Sequence, residues 1–403
     1  MLFGQFTKDV HDFWTRYLKT ICEHQKNGQI QSTGLLFYPN FLLAIDAGDF
    51  YFAELIGARR QFEGLTVRKH RDTSIYRFLS QFDDSEPDPL ISLGAAQNGF
   101  RWLCMGHDFE INDLKARFPY LETYGAKLNR VGGHGSVFGF QDAFRSCFIE
   151  NSALVNKSEN LFRCKNILEM IVVRRNIKSP ELKELLRSIV NGNDVKGVHT
   201  LPDERAEAVT IAGHLQNLYL SPGLRETTIG EFLKNYPEVI KQAFGASSFL
   251  YEPYLDWVEH DGTVQEVAIN PDLIVKRHDG VTDIYDLKTA ALERASITKG
   301  KRNRRRFIDY VSEGVAQLAN YRNYFTFAKN REFALGKYGV EVADPGLVLV
   351  VGNWDNSKIQ EIKEASLPLD HISVIDYDTL VQSFLGADNL SKTGQSKKEN
   401  SVP

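Results

Sequence analysis

The sequence predicts a mixed α/β protein of α+β type in two domains, the second built on a central sheet flanked by helices. Three observations predict it. Short β-favouring runs, such as Leu273-Ile274-Val275 and Gly346 to Gly352, alternate in the C-terminal half with stretches of helical period. A turn signal, His278-Asp279-Gly280, joins two such runs into a hairpin. The chain has 403 residues, enough for two full cores.

In order, residues 8 to 26 predict an amphipathic helix carrying Val10, Phe13, Trp14, Tyr17, Leu18 and Ile21 on one stripe. Strands are expected at Gly34-Tyr38, Phe41-Ile45 and Phe50-Ile56. The prolines and acids of residues 83 to 89 break any period and predict a loop. Residues 165 to 190 read as largely helical, with a capping signal at Ser179-Pro180-Glu181. A second helix is expected over Pro202 to Leu220. The boundary between an N-terminal α+β domain (1–200) and a C-terminal domain (201–386) falls near residue 200. Beyond it come a helix from about Glu226 to Ala243, broken near Tyr236 by Pro237, and a strand over Phe249 to Val258. The hairpin follows, then a helix from about Asp309 to Ala328. An apolar strand between Gly346 and Gly352, a strand at His371 to Tyr377 and a helix at Asp378 to Phe384 complete the domain. Residues 387–403, rich in Ser, Lys, Gly and Asn, read as a disordered tail.

Composition narrows the function classes. A net charge of -4 excludes a wholly basic nucleic-acid coat, so any affinity for DNA must come from a local patch. No run of eighteen apolar residues predicts a membrane span, and the opening MLFGQFTKDVHDFW lacks the pattern of a signal peptide. Cys22, Cys104, Cys147 and Cys164 form no CxxC pair, which fits reduced thiols in the cytoplasm. Gly132-Gly133-His134-Gly135-Ser136 fits neither a phosphate loop nor a nucleophile elbow and reads as a glycine turn. His107 and His199 lack i,i+4 partners and read as ordinary histidines.

The hairpin carries the chemistry. A three-residue loop ending in Gly280 sets Ile274 opposite Ile284, Asp272 opposite Asp286 and Asn270 opposite Lys288. Alternation then puts both aspartates and the lysine on one face. Opposed carboxylates ~5 Å apart repel each other. A divalent cation between them, most simply Mg²⁺, would remove that repulsion. The lysine beside it would hold a water or stabilise charge on a phosphate. The same spacing also fits an exposed hairpin with three solvated charges.

Pro271-Asp272, thirteen residues, then Asp286-Leu287-Lys288 resembles the PD-(D/E)xK nuclease signature. The expected order of helix, three strands, helix and strand matches that core. Gln317 and Tyr321, spaced QxxxY, are similar to the Gln-Tyr pair of RecB-like members and share a helix face. Glu226, Ile229, Phe232-Leu233 and Tyr236-Pro237-Glu238 resemble the opening helix of the Shedu anti-phage defence nucleases. The close, residues 371 to 380, resembles that family's TYDxL ending, with Asp376 in place of the expected Thr. The resemblance spans about residues 220 to 385 and leaves out the N-terminal half, which would sense or gate.

It implies a restriction-endonuclease-like core with Mg²⁺ as cofactor, replaceable by Mn²⁺. Asp272, Asp286, the Leu287 carbonyl and Glu226 would be metal ligands, Glu226 directly or through water. Lys288 would be the catalytic lysine, and Gln317 would orient it or the substrate with support from Tyr321. Glu231 is the rival to Glu226, separated from it only by the register of Phe232-Leu233. Double-stranded DNA, phage DNA in particular, would be the substrate, and Shedu-like proteins imply a homo-tetramer. Between Lys288 and Gln317 lies a basic run without an acid: Arg294, Lys299, Lys301, Arg302, Arg304, Arg305 and Arg306. It reads either as a DNA-backbone contact or as a solvated loop. Two other functions stay open: a repair or restriction nuclease, and a protein that holds DNA without cutting it.

Overall fold

The computed structural model of the chain describes residues 1–30, 34–71, 90–91, 102–105, 128–131, 138–139, 143–146, 152–155, 161–165, 167–192, 195–201, 203–262, 266–301, 304–369 and 371–386. The expectations for residues 83–89, 132–136, His107, Cys147, Arg302 and 387–403 lie outside the described residues. The fold is mixed α and β, as expected. The chain divides into two compact units, Met1–His214 and one from Leu215 on. The division falls inside the helix Asp203–Leu220, later than the expected boundary near residue 200, because that helix runs unbroken past it. Among the described residues, no helix is long and apolar enough to cross a membrane.

In the first unit a helix over Phe3–Lys26 buries Phe6, Val10, Trp14 and Leu18, the stripe that its period requires. It packs with a five-stranded sheet, ordered Thr66–Arg71, Phe41–Asp46, Phe50–Ile56, Ile167–Arg174 and Ala143–Ser146. One expectation fails here. Residues 167–174 form a strand, not a helix. The run ILEMIVVR is rich in β-branched residues and is buried along nearly all its length, so it has no alternation to separate it from a buried helix. The helix begins only at Ser179, where Glu181 accepts the Lys178 amide at 2.9 Å. His199 is an ordinary histidine, held neutral because burial pushes its pKa down to about 4.

The second unit is built on one sheet whose five strands lie side by side in chain order. They are β1 (Ala246–Tyr251), β2 (Leu273–Arg277), β3 (Thr282–Leu287), β4 (Gly346–Val350) and β5 (Ile372–Ile375). β1 to β3 run antiparallel, and β4 and β5 join in parallel. Two helices, α1 (Glu226–Asn235) and a short one over Pro237–Ala243, precede β1. They break at Tyr236, as Pro237 at a helix start requires. α2 (Asp309–Thr326) sends Val311, Leu318 and Phe325 into the core beside Ile274, Ile284 and Leu349.

β3 is the central strand. All six of its residues are buried, including Asp283 and Asp286. The hairpin has the expected register, with Ile274 opposite Ile284. Arg277 and Val281 close its three-residue loop, and Gly280 takes a φ of +86°, as that turn demands. The ladder ends one residue early, at Leu273 opposite Tyr285. Pro271 has no N–H to continue it. Asn270 therefore does not face Lys288. Oriented by its hydrogen bonds, its amide nitrogen donates to the Glu252 and Pro253 carbonyls at 3.1 Å each.

Candidate active site

Where the ladder stops, side chains take over the pairing. Asp272 Oδ2 accepts the Leu287 amide at 2.6 Å. Leu287 is thus engaged through its N–H, one residue past Asp286 and one before Lys288. Asp286 projects from the buried strand and is 3% exposed. Lys288 Nζ stands 2.7 Å from Asp286 Oδ2. The contact is a short ion pair, the main influence holding the Asp286 pKa down against its burial. Two carboxylates and one ammonium therefore share a pocket in which Lys288 is itself only 9% exposed.

The charge imbalance appears in the carboxylate pKa values. Burial raises Asp272 to about 7; the Leu287 hydrogen bond opposes that shift, and the Asp286 charge adds to it. Burial also raises Asp286, against the pull of Lys288 and with a push from Glu226. For Asp272 the Asp286 charge is a smaller cause than desolvation, and the ladder stops short of setting the two aspartates opposite each other.

Glu226, the first residue of α1, reaches the same pocket. Its Oε1 accepts the Tyr310 hydroxyl at 2.5 Å, and that hydroxyl in turn accepts the Thr289 amide at 2.8 Å. Burial, together with the bond to Glu226, pushes the Tyr310 hydroxyl up to about 12. Glu231 is exposed and is no part of this network. Tyr321 is nearly buried, with its hydroxyl 3.4 Å from the Asn270 carbonyl. Burial raises its pKa, and the charges of Asp286 and Asp272 raise it further.

Gln317 is not drawn in. Its side chain is exposed and makes no hydrogen bond among the described residues. Lys288 instead packs toward Gly314, one turn earlier on α2, where an added Cβ would stand 3.2 Å from Lys288 Cε and 2.7 Å from Leu349 Cδ1. Gly314 and Tyr310 are the residues that sequence reasoning missed. A glycine inside a helical pattern carries a packing reason, and that was the available signal.

A metal ion fits the donor set in part. Buried Asp286 and half-buried Asp272, with one ammonium beside Asp286, leave negative charge uncompensated, and hard oxygen donors suit Mg²⁺ or Mn²⁺. Among the described residues no group of three His, Cys, Asp or Glu is arranged to hold a metal.

The basic run forms a second small hairpin, with Thr298 opposite Phe307 and Lys299 opposite Arg306. Two of its cations are already committed. Arg305 pairs with Glu361 at 3.2 Å and Glu364 at 2.8 Å, both on the helix Ile359–Ser366. Lys299 pairs with Asp309 at 2.5 Å. Lys301, Arg304 and Arg306 are exposed. Arg305 is thus held by acids of its own fold, with its side chain 17% exposed. No acid lies within the run, but those on neighbouring helices come to it through the fold.

No protein-family model matches the chain, and no curated protein matches it.

Proposed function

We propose that the second unit is a metal-dependent DNA endonuclease with a PD-(D/E)xK core, acting in anti-phage defence. The observation that carries this reading is the pocket at the end of β2 and β3, where Asp272, Asp286 and Lys288 meet and Glu226 approaches from α1. The defence role rests on the Shedu resemblance alone.

Asp272 and Asp286 would hold the metal directly, with the Leu287 carbonyl as a further ligand and Glu226 acting through water. The bound ion would polarise a phosphoryl oxygen and lower the pKa of a water. Lys288, kept beside Asp286, would stabilise the charge that develops on the phosphate. Tyr310 would orient Glu226, and the exposed Lys301, Arg304 and Arg306 would meet the DNA backbone. Gln317 keeps its place in the proposal only as a residue facing substrate.

Incubation with supercoiled plasmid and Mg²⁺, and again with EDTA, tests the reading. Cutting that needs the metal supports it. Binding without cutting would transfer the protein to the DNA-holding class.

The basic hairpin yields a paired expectation. Replacing Lys301, Arg304 and Arg306 by Gln should weaken binding to all sequences alike and flatten the slope of log K against log salt by about 2 to 3 units. Arg305→Gln should instead lower the melting temperature, because it removes the cation shared by Glu361 and Glu364, and should hardly change the slope. The idea fails if the slopes come out in the opposite order.

Gly314→Ala probes the space held for the lysine. Helix propensity favours the alanine by ~1 kcal/mol. Crowding against Leu349 and Lys288 costs ~1–3 kcal/mol. Stability should therefore stay within ~2 kcal/mol of wild type while cleavage falls at least ~10-fold through displacement of Lys288. Undiminished cleavage would show that the lysine has room to spare.

A further inference from the structure

Beyond Leu287 the chain leaves the sheet, and the backbone that carries Lys288 needs another support. Its amide still donates to the Val350 carbonyl at 2.9 Å. Its carbonyl is taken by a side chain: the Tyr377 hydroxyl donates to it at 2.5 Å. Tyr377 is fully buried at the start of the helix over residues 377–386. Its ring stacks on Tyr219, with centroids 5.5 Å apart and planes 16° apart.

That stack is itself anchored. The Tyr219 hydroxyl donates to Asp378 Oδ1 at 2.5 Å, and Asp378 Oδ2 accepts the Trp354 amide at 2.8 Å. Asp376 caps the same helix by accepting the Thr379 amide at 2.7 Å, and it also accepts the Ser357 hydroxyl at 2.6 Å. The next residues after Lys288 are clamped as well. Asn356 Nδ2 donates to the Ala290 and Ala291 carbonyls at 2.9 and 2.8 Å.

We propose that Tyr377 is a positioning residue for Lys288. Its hydroxyl fixes the carbonyl of residue 288, and with it the direction in which the lysine side chain leaves the backbone toward Asp286. No other hydrogen bond of this kind reaches that carbonyl among the described residues. The carbonyl lies past the end of the β2–β3 ladder, and its peptide is held at both ends by side chains, Tyr377 at the carbonyl and Tyr310 at the Thr289 amide. The consequence for rate rests on the nuclease reading; the consequence for lysine geometry does not.

Tyr377→Phe removes one oxygen and keeps the ring stack. Tyr324→Phe is the matched control: Tyr324 is also fully buried, and its hydroxyl donates to the Asp256 carbonyl at 3.0 Å, with no link to Lys288. Three readouts are taken on the full chain. They are the single-turnover cleavage rate at saturating DNA, the DNA Kd, and the Cε–Hε NMR signal of Lys288 in lysine-labelled protein, assigned by its loss in Lys288→Met. Tyr377→Phe should slow cleavage about 10- to 100-fold, leave Kd within about twofold and shift the Lys288 signal. Tyr324→Phe should lose comparable melting temperature and change neither rate nor signal. Tyr219→Phe, one step further out, should move the signal in the same direction by less.

An unmoved Lys288 signal in Tyr377→Phe overturns the proposal. So does a rate loss that Tyr324→Phe reproduces. If wild type does not cut DNA, yet the signal moves in Tyr377→Phe alone, the positioning role stands and the nuclease reading falls.

Discussion

Lys288→Ala should abolish plasmid cleavage and leave DNA affinity within a few-fold of wild type. The lysine is assigned to charge that appears on the phosphate only as the reaction proceeds, so its loss falls on the chemical step and not on binding. The structure adds a second consequence. Nζ stands 2.7 Å from Asp286, a carboxylate that is 3% exposed. Removing the ammonium leaves that charge buried and uncompensated, and breaking such a pair costs about 3 kcal/mol. The cost depends on pH. Without Lys288, Asp286 binds a proton more readily in the folded state than in the unfolded one. The variant's deficit should therefore grow as pH rises above the ordinary carboxylate range and shrink in acid. Thermal melts at pH 5 and pH 8 in EDTA read the second effect, and a plasmid assay reads the first. Normal cleavage by the variant ends the catalytic assignment. An equal melting temperature for variant and wild type at pH 8 would mean that the pair does not stabilise the fold.

The parts of this site that were legible in the sequence are the local ones. Alternation and a glycine-ended turn determine register within a few residues, so Ile274 meets Ile284 and Gly280 turns the chain. The break at Tyr236-Pro237 is likewise a property of one residue's ring. What the sequence hid depends on partners far apart along the chain. Arg305 sits in a run without acids, yet Glu361 and Glu364 claim it from the helix Ile359–Ser366. Tyr310 and Tyr377 look like ordinary core tyrosines until Glu226 and the Lys288 carbonyl are found at their hydroxyls. Asp376 stands where the resemblance expects Thr. Asp376 accepts the Thr379 amide at the helix start, a role that Thr can also fill. The strand Ile167–Arg174 hides its period for a different reason: buried on both sides, it has no polar face to show an alternation.

Asp272→Asn should keep the fold, lose the response to metal and lose cleavage. The substitution is nearly isosteric, and an amide oxygen can still accept the Leu287 N–H that Asp272 Oδ2 now takes at 2.6 Å. What disappears is a charge that burial already disfavours, with Asp286 and Glu226 adding to the penalty. The folded-state pKa of about 7 lies above the unfolded value, so the folded protein holds this proton longer. The stabilisation from that proton is complete below about pH 4 and is lost as pH rises through about 7. In EDTA, wild type should therefore weaken relative to the asparagine variant across that window. The difference at pH 8 should be on the order of 1 to 4 kcal/mol, the upper end being the full shift converted at about 1.4 kcal/mol per pH unit. The partial exposure of Asp272 favours the lower end. Mg²⁺ should reverse the ranking. A cation that binds only the folded state raises the melting temperature of wild type by mass action, more at pH 8 than at pH 6, because it must displace the proton on Asp272. In Asp272→Asn the metal-induced rise should shrink or vanish, and cleavage with it. A variant that melts well below wild type in EDTA at pH 8 and keeps the full metal-induced shift would make Asp272 a structural residue, and the two-carboxylate site would lose its centre.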